Sequence, residues 1–156
     1  MSSVPAATPN RALVAPVQRA ASLVGTVFLL VGVLGFIPGI TSNYDQMMAA
    51  GHDSGALLLG VFQVSILHNV VHLLFGVAGL AFARSARGAR NYLIGGGVIY
   101  LVLWLYGLFL DLNSTANFIP FNNADNWLHL FLGIGMVVLG VALGRTRTSP
   151  HTGAAA

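Results

Sequence analysis

The sequence predicts an all-α integral membrane protein, a four-helix bundle of two parallel helical hairpins with both termini in the cytoplasm. Three observations support this class. Apolar residues make up 56% of the 156 residues and charged residues only 7%, whereas soluble globular domains carry roughly 25% charged residues. Four apolar segments are long enough to cross a bilayer, and the basic and acidic residues lie in separate loops. The composition therefore excludes a water-soluble monomer and makes the lipid bilayer the main partner.

Several classes of site and partner are excluded by residue type alone. Cysteine is absent, which removes disulfides, cysteine-based zinc sites, iron–sulfur ligation and thiol nucleophiles. The net charge of +3 comes from scattered arginines without interleaved aromatic residues, so we expect no nucleic-acid partner. The sequence also lacks a phosphate-binding glycine loop, a nucleophile elbow and closely spaced carboxylates, so it predicts no enzyme class.

The order of segments predicts one membrane domain, over residues 20–145, between two tails. An apolar run of about 20 residues crosses a hydrocarbon core of roughly 30 Å at 1.5 Å per residue. On this basis the four spans are predicted at 20–40, 56–83, 91–110 and 126–144. The flanking segments, 1–19 and 146–156, are rich in Pro, Ala, Ser and Thr and are expected to be disordered cytoplasmic tails.

Charge partition predicts the orientation. All seven arginines lie in the two tail regions and in the connector 84–90, and all four aspartates lie in the loops 41–55 and 111–125. By the positive-inside rule, the termini and the connector are cytoplasmic and the two acidic loops lie outside the cell membrane.

A repeated polar pattern interrupts the second and fourth spans. The pattern Asn-x-x-His-Leu-x-x-Gly occurs at residues 69–76 and again at 126–133, which predicts an internal duplication. His68 and His72 are four residues apart, as are Asp125 and His129, so each pair shares one helix face. Counting from the nearest arginine places His129 level with His68, and the repeat register places it level with His72.

Ionisable groups inside a bilayer are costly unless they are paired or face the bundle interior, so we expect a polar cluster between the second and fourth spans. The leading hypothesis is a transition-metal site, because imidazoles with one carboxylate suit such ions. Its predicted ligands are His68, His72, His129 and Asp125, supported by Asn69 and Asn126. A haem held between His68 and His129 is a variant. An ion relay is a third reading, but no carboxylate lies in the inner half of any span.

The alternative is a structural role. Interhelical hydrogen bonds from histidine and asparagine in membranes contribute about 0.6 kcal/mol and at most 1 to 2 kcal/mol. The protein would then be a structural or accessory subunit of a larger membrane complex with no ligand of its own. Small residues suit close helix contact, and a membrane-protein partner or a second copy would contact the glycine-lined faces. The glycines concerned are Gly32, Gly35, Gly39, Gly76, Gly79, Gly140 and Gly144.

Three separated strings resemble one known family. They are Leu34-Gly35-Phe36-Ile37-Pro38-Gly39, the stretch from Ile66 to Gly76, and the segment from Asn123 to Leu130. Together they resemble a family of small bacterial integral membrane proteins, frequent in actinobacteria and classed as a domain of unknown function. The resemblance covers residues 20 to 145. It implies four transmembrane helices and no established activity.

Overall fold

The computed structural model describes residues 14–120 and 122–144, and this part of the chain contains four α-helices. They are α1 (Pro16–Leu34), α2 (Ile66–Phe82), α3 (Ala86–Phe109) and α4 (Asn123–Leu143). The predicted all-α class with four helices is confirmed. By length and composition α1, α3 and α4 are able to cross a membrane, while α2 is apolar but has only 17 residues.

The helices begin where local capping allows. Pro16 is the first residue of α1, a position that proline favours because its missing N–H would have no helical partner. The helix thus includes four residues that were predicted as tail. Ser85 caps α3 by accepting a hydrogen bond from the Gly88 N–H at 3.0 Å, so Arg87 and Arg90 lie on α3 and not in a connector. Residues 14 and 15 are described and not helical, and the rest of the predicted tails, 1–13 and 146–156, lies outside the described residues.

The first ten residues of the predicted second span are not helical. A small antiparallel sheet forms between α1 and α2, with strands β1 (Thr41–Ser42), β2 (Leu57–Leu58) and β3 (Phe62–Gln63) in that order. The turn between β2 and β3 needs positive φ angles, +53° at Leu59 and +73° at Gly60, which a helix cannot accommodate. The helix starts only after Ser65, whose hydroxyl accepts from the His68 N–H at 3.1 Å. We call residues 41–65 the lid.

Two helix pairs form the bundle, α1 with α2 and α3 with α4. Each pair meets at backbone contacts between glycines. A Cβ atom at Gly76 would lie 2.7 Å from the Gly25 carbonyl oxygen, and one at Gly97 would lie 2.8 Å from that of Gly133. Only glycine fits at such distances. Among the glycines predicted for close contact, those that face another part of this chain are Gly32, Gly35, Gly76, Gly79, Gly140 and Gly144, and Gly39 has open space beside it. These glycines therefore serve contacts within the chain.

Aromatic side chains join the two pairs. Phe28 of α1 contacts Phe75 of α2 edge-on at 5.1 Å between ring centroids and Tyr100 of α3 at 5.3 Å. The Tyr92 hydroxyl of α3 donates to the Phe75 carbonyl oxygen at 3.2 Å. Such aromatic pairs add about 0.5–1.5 kcal/mol each beyond their burial. This aromatic core forms the floor under the predicted polar cluster, because Phe28 and Tyr100 also contact histidines.

Candidate functional site

The three histidines predicted to meet are close together at the lid end of the bundle. The rings of His68 and His72 on α2 contact each other with 4.1 Å between centroids and a tilt of 38° between their planes. His129 on α4 packs edge-on against Tyr100 at 5.2 Å, and His72 lies 5.5 Å from Phe28. All three are buried. The structure thus brings the imidazoles of two separate helices to one place, which we call the histidine cluster.

Two small cavities adjoin the histidine cluster, and all three histidines line both. One has a volume of about 90 Å³ and is closed by Asp125 and by lid residues, and the other has about 50 Å³ and reaches Tyr100. Pockets for drug-sized ligands measure roughly 300–1,000 Å³, whereas a water occupies about 30 Å³ in the liquid. These volumes admit a few waters or one small ion. The predicted haem does not fit between His68 and His129.

Hydrogen bonds fix the orientation of two imidazoles. The Nδ1 of His72 donates to the His68 carbonyl oxygen at 3.0 Å, and the Nδ1 of His68 donates to Asn69 Oδ1 at 3.4 Å. Because a carbonyl oxygen only accepts, both rings carry a proton on Nδ1, and in the neutral form each leaves the Nε2 lone pair as an acceptor. Histidines that ligate metals often donate their other ring N–H group in this way. Here both acceptors, the His68 carbonyl oxygen and Asn69 Oδ1, belong to α2 itself.

Asp125, the predicted fourth ligand, is held by backbone groups. It is the third residue of α4, and its Oδ2 accepts from the Asn122 N–H at 2.9 Å. The same oxygen accepts from the Gln63 N–H of β3 at 3.0 Å. In return, Asn122 Oδ1 accepts from the Asp125 N–H at 3.1 Å, which completes a capping box. The carboxylate lies at the edge of the larger cavity and fastens the lid to α4.

The described side chains do not form a preassembled metal site. Within residues 14–120 and 122–144, no group of three or more His, Asp or Glu side chains is arranged to hold a metal ion. The imidazoles are neighbours and share cavities. Asp125 lines only the larger of these cavities, and its Oδ2 accepts hydrogen bonds from the α4 cap and from β3.

The two asparagines predicted to support the ligands have different surroundings. Asn69 is fully buried, bonds to His68 through Oδ1 and directs its Nδ2 at Met47 Sδ, 4.0 Å away. Asn126 is also buried, and its Oδ1 has no hydrogen-bond partner among the described residues. Only Asn69 therefore orients a histidine.

The structure extends the repeated pattern to the helix caps. Ser65 and Asn122 each cap a helix, and each accepts from the backbone N–H three residues later, at His68 and at Asp125. At the other end of the pattern, Gly76 lies against α1 and Gly133 against α3, each next to a glycine carbonyl oxygen. Equivalent positions of the two copies therefore make equivalent contacts. The copies differ in the residue whose N–H group the cap accepts, which is His68 in the first copy and Asp125 in the second.

Two residues of the site, Gln63 and Tyr100, were not predicted to belong to it from the sequence. Gln63 donates from its side chain to the carbonyl oxygens of His52 at 2.9 Å and Ser54 at 2.7 Å, which holds the lid together. Tyr100 is buried beside His129. Its position four residues after Gly96, on the buried face of α3, is the signal that would have indicated this.

One comparison with known proteins finds a match that covers the lid and most of the described helices. Neither a curated protein nor a solved structure matches the chain. A family model does match, over residues 18–142, and this range includes the lid, the histidine cluster and nearly all of the four helices. The predicted membership of a family classed as a domain of unknown function is confirmed. The chain belongs to the family described as a domain of unknown function, DUF4383.

Proposed function

We propose that this protein is a structural or accessory multi-pass protein of the cell membrane, in which the histidine cluster fixes the positions of the helices and the lid. The observation that carries the proposal is the state of Asp125. Its Oδ2 accepts hydrogen bonds from two backbone N–H groups, at Asn122 and Gln63. The Asp125 carboxylate thus connects α4 to β3 through hydrogen bonds.

The remaining polar contacts of the cluster support the same role. His72 and His68 are bonded to a backbone carbonyl and to a neighbouring amide, and the cavities beside them are small. A buried polar group that loses its partner costs roughly 1–3 kcal/mol. The cluster therefore favours one arrangement of α2, α4 and the lid over alternatives in which these groups face lipid.

The orientation that we propose has both termini in the cytoplasm and two parallel helical hairpins. Arg84, Arg87 and Arg90 are exposed at the end of the bundle where α2 meets α3, and Asp45 and Asp53 are exposed on the lid at the other end. The positive-inside rule then assigns the lid to the outer side of the membrane.

A transition-metal ion in the cavities is the second candidate. The observation that favours it is the protonation of both His68 and His72 on Nδ1, which leaves two Nε2 acceptors in a buried region. Binding would require the rings to turn toward a common point, with His129 as the third ligand from α4.

Thermal unfolding of the purified protein in detergent separates these candidates. The comparison uses the wild type, a His68→Ala/His129→Ala double variant, and the control His52→Ala, which changes a lid histidine outside the cluster. The structural proposal predicts a lower midpoint for the double variant and no response of any form to EDTA or zinc sulfate. A metal site predicts stabilisation of the wild type, about 2.7 kcal/mol at a metal concentration of 100 times Kd. A zinc-dependent midpoint that the double variant lacks would overturn the proposal.

The accessory role also predicts a stable complex with another membrane protein. Protein extracted from native membranes in mild detergent should then contain a second membrane protein in a fixed ratio to this chain. A particle that contains only this chain would limit the role to the single chain or its own oligomer.

A further inference from the structure

The turn of the lid is made of apolar residues. Residues 56–62 read Ala-Leu-Leu-Leu-Gly-Val-Phe, without a polar side chain. Leu59 has a φ of +53°, a conformation that turns in water usually give to Gly, Asn or Asp. Its side chain is 64% exposed, and that of Val61 is 49% exposed. A turn of this composition is poorly suited to contact with water.

The turn lies beside the helices and not beyond their ends. Leu59 lines the 90 Å³ cavity together with Val31 of α1 and Leu132 of α4. Val31 is three residues before the end of α1, and Leu132 is nine residues after the start of α4. At 1.5 Å per residue, Leu132 lies roughly 13 Å along α4 from its first residue. The turn therefore reaches the depth of the membrane-spanning helices.

The short length of α2 leaves room for the turn at this depth. Its 17 residues extend about 25 Å, less than a hydrocarbon core of roughly 30 Å. On α4, Leu128 lines the same cavity as Leu59 and is 39% exposed. The lid turn is thus adjacent to an exposed apolar residue of a membrane-spanning helix.

The N–H groups of the turn meet the requirement for a non-helical segment inside a bilayer. There, every peptide group needs a partner within the protein, because lipid supplies none. The three turn residues all donate their N–H groups to backbone carbonyl oxygens: Leu59 to Ile40 at 3.0 Å, Gly60 to Leu57 at 3.1 Å and Val61 to Leu58 at 3.1 Å. The carbonyl oxygen of Val61 accepts from Asn122 Nδ2 at 2.7 Å.

We propose that residues 57–62 form a re-entrant wedge embedded in the membrane leaflet at the lid end, with Leu59 and Val61 in contact with lipid acyl chains. Leu58, Leu59 and Phe62 line the larger cavity. The wedge is therefore also the wall that separates the histidine cluster from the hydrocarbon.

Because the chain has no cysteine, single-cysteine variants test this directly. Leu59→Cys and Val61→Cys would carry a nitroxide label in phosphatidylcholine vesicles. Asp53→Cys is the water-exposed control, since the Asp53 side chain is 79% exposed on the lid. Leu74→Cys, 64% exposed in the middle of α2, is the lipid-exposed control.

The readout is the ratio of label collisions with oxygen, which concentrates in lipid, to collisions with a water-soluble nickel chelate. We expect the labels at positions 59 and 61 to show the high ratio of position 74. A low ratio at both, equal to that at position 53, would overturn the proposal. If Leu59→Cys fails to fold because of its left-handed backbone, Val61→Cys alone decides in the same way, since no positive φ is required there.

Discussion

The Asp125 carboxylate accepts a hydrogen bond from the Gln63 backbone N–H at 3.0 Å, and so connects two residues that are 62 positions apart in sequence. The same oxygen caps α4 through Asn122. One side chain therefore fixes the start of a helix and the edge of the lid. The histidine cluster lies next to this connection, and lid residues line the larger of its two cavities.

Replacement of Asp125 by alanine should lower the stability of the whole protein. Two backbone N–H groups would lose their shared acceptor, and each buried group left unsatisfied costs roughly 1–3 kcal/mol. We expect a lower unfolding midpoint in detergent, followed by tryptophan fluorescence. Asp53→Ala, at an exposed lid position next to His52, is the control and should change the midpoint little. Equal midpoints for Asp125→Ala and Asp53→Ala would contradict the tie between α4 and the lid.

Enlargement of a contact glycine should push apart the two helices of one pair. Gly97→Ala would place a methyl group 2.8 Å from the Gly133 carbonyl oxygen, and overpacking of this kind costs about 1–3 kcal/mol. Gly95→Ala is the matched control two residues away, because nothing lies within 4 Å of its Cβ position. We expect Gly95→Ala to be neutral or stabilising by up to about 1 kcal/mol through helix propensity. The prediction fails if both variants unfold at the same temperature.

Removal of the Tyr92 hydroxyl should weaken the junction between the helix pairs. Tyr92→Phe deletes the hydrogen bond to the Phe75 carbonyl oxygen and keeps the ring contact at 5.5 Å between centroids. The expected loss is about 0.6 kcal/mol, the average for such bonds in membranes. Tyr92→Ala should cost several times more, because it also empties part of the aromatic core. Similar unfolding midpoints for Tyr92→Phe and Tyr92→Ala would contradict a stabilising contribution of the Tyr92 ring.

Membrane orientation is testable with a thiol reagent that does not cross membranes. Labelling of intact cells should modify Asp53→Cys on the lid and leave Arg87→Cys unmodified until the cells are lysed. Both side chains are exposed in the structure, so burial does not explain a difference. The opposite labelling pattern would place the termini outside.

The helices could be predicted from the sequence because each is a long and mostly apolar segment, and the polar cluster could be predicted because the repeat marks the facing sides of two helices. The lid could not. Residues 56–62 are as apolar as a span, and only the positive φ angles at Leu59 and Gly60 turn them into a hairpin. A leucine in that conformation gives no local signal in the sequence.

The arrangement of the predicted metal ligands could not be predicted from the sequence either. The four-residue spacing of Asp125 and His129 predicts a shared helix face and does not say that the carboxylate bonds to β3. Asn122 followed three residues later by an acidic residue resembles a capping box, and this pattern competes with the metal hypothesis for the same side chain. The cavity size that excludes haem depends on packing between distant segments.

The most direct test of a structural histidine cluster is the ratio of bound transition metal to protein in the purified wild type, measured by elemental mass spectrometry beside the His68→Ala/His129→Ala variant. We expect both preparations to hold far less than one ion per chain, and the same amount as each other. One ion per chain in the wild type, absent from the variant, would show that the imidazoles bind a metal and would contradict the account.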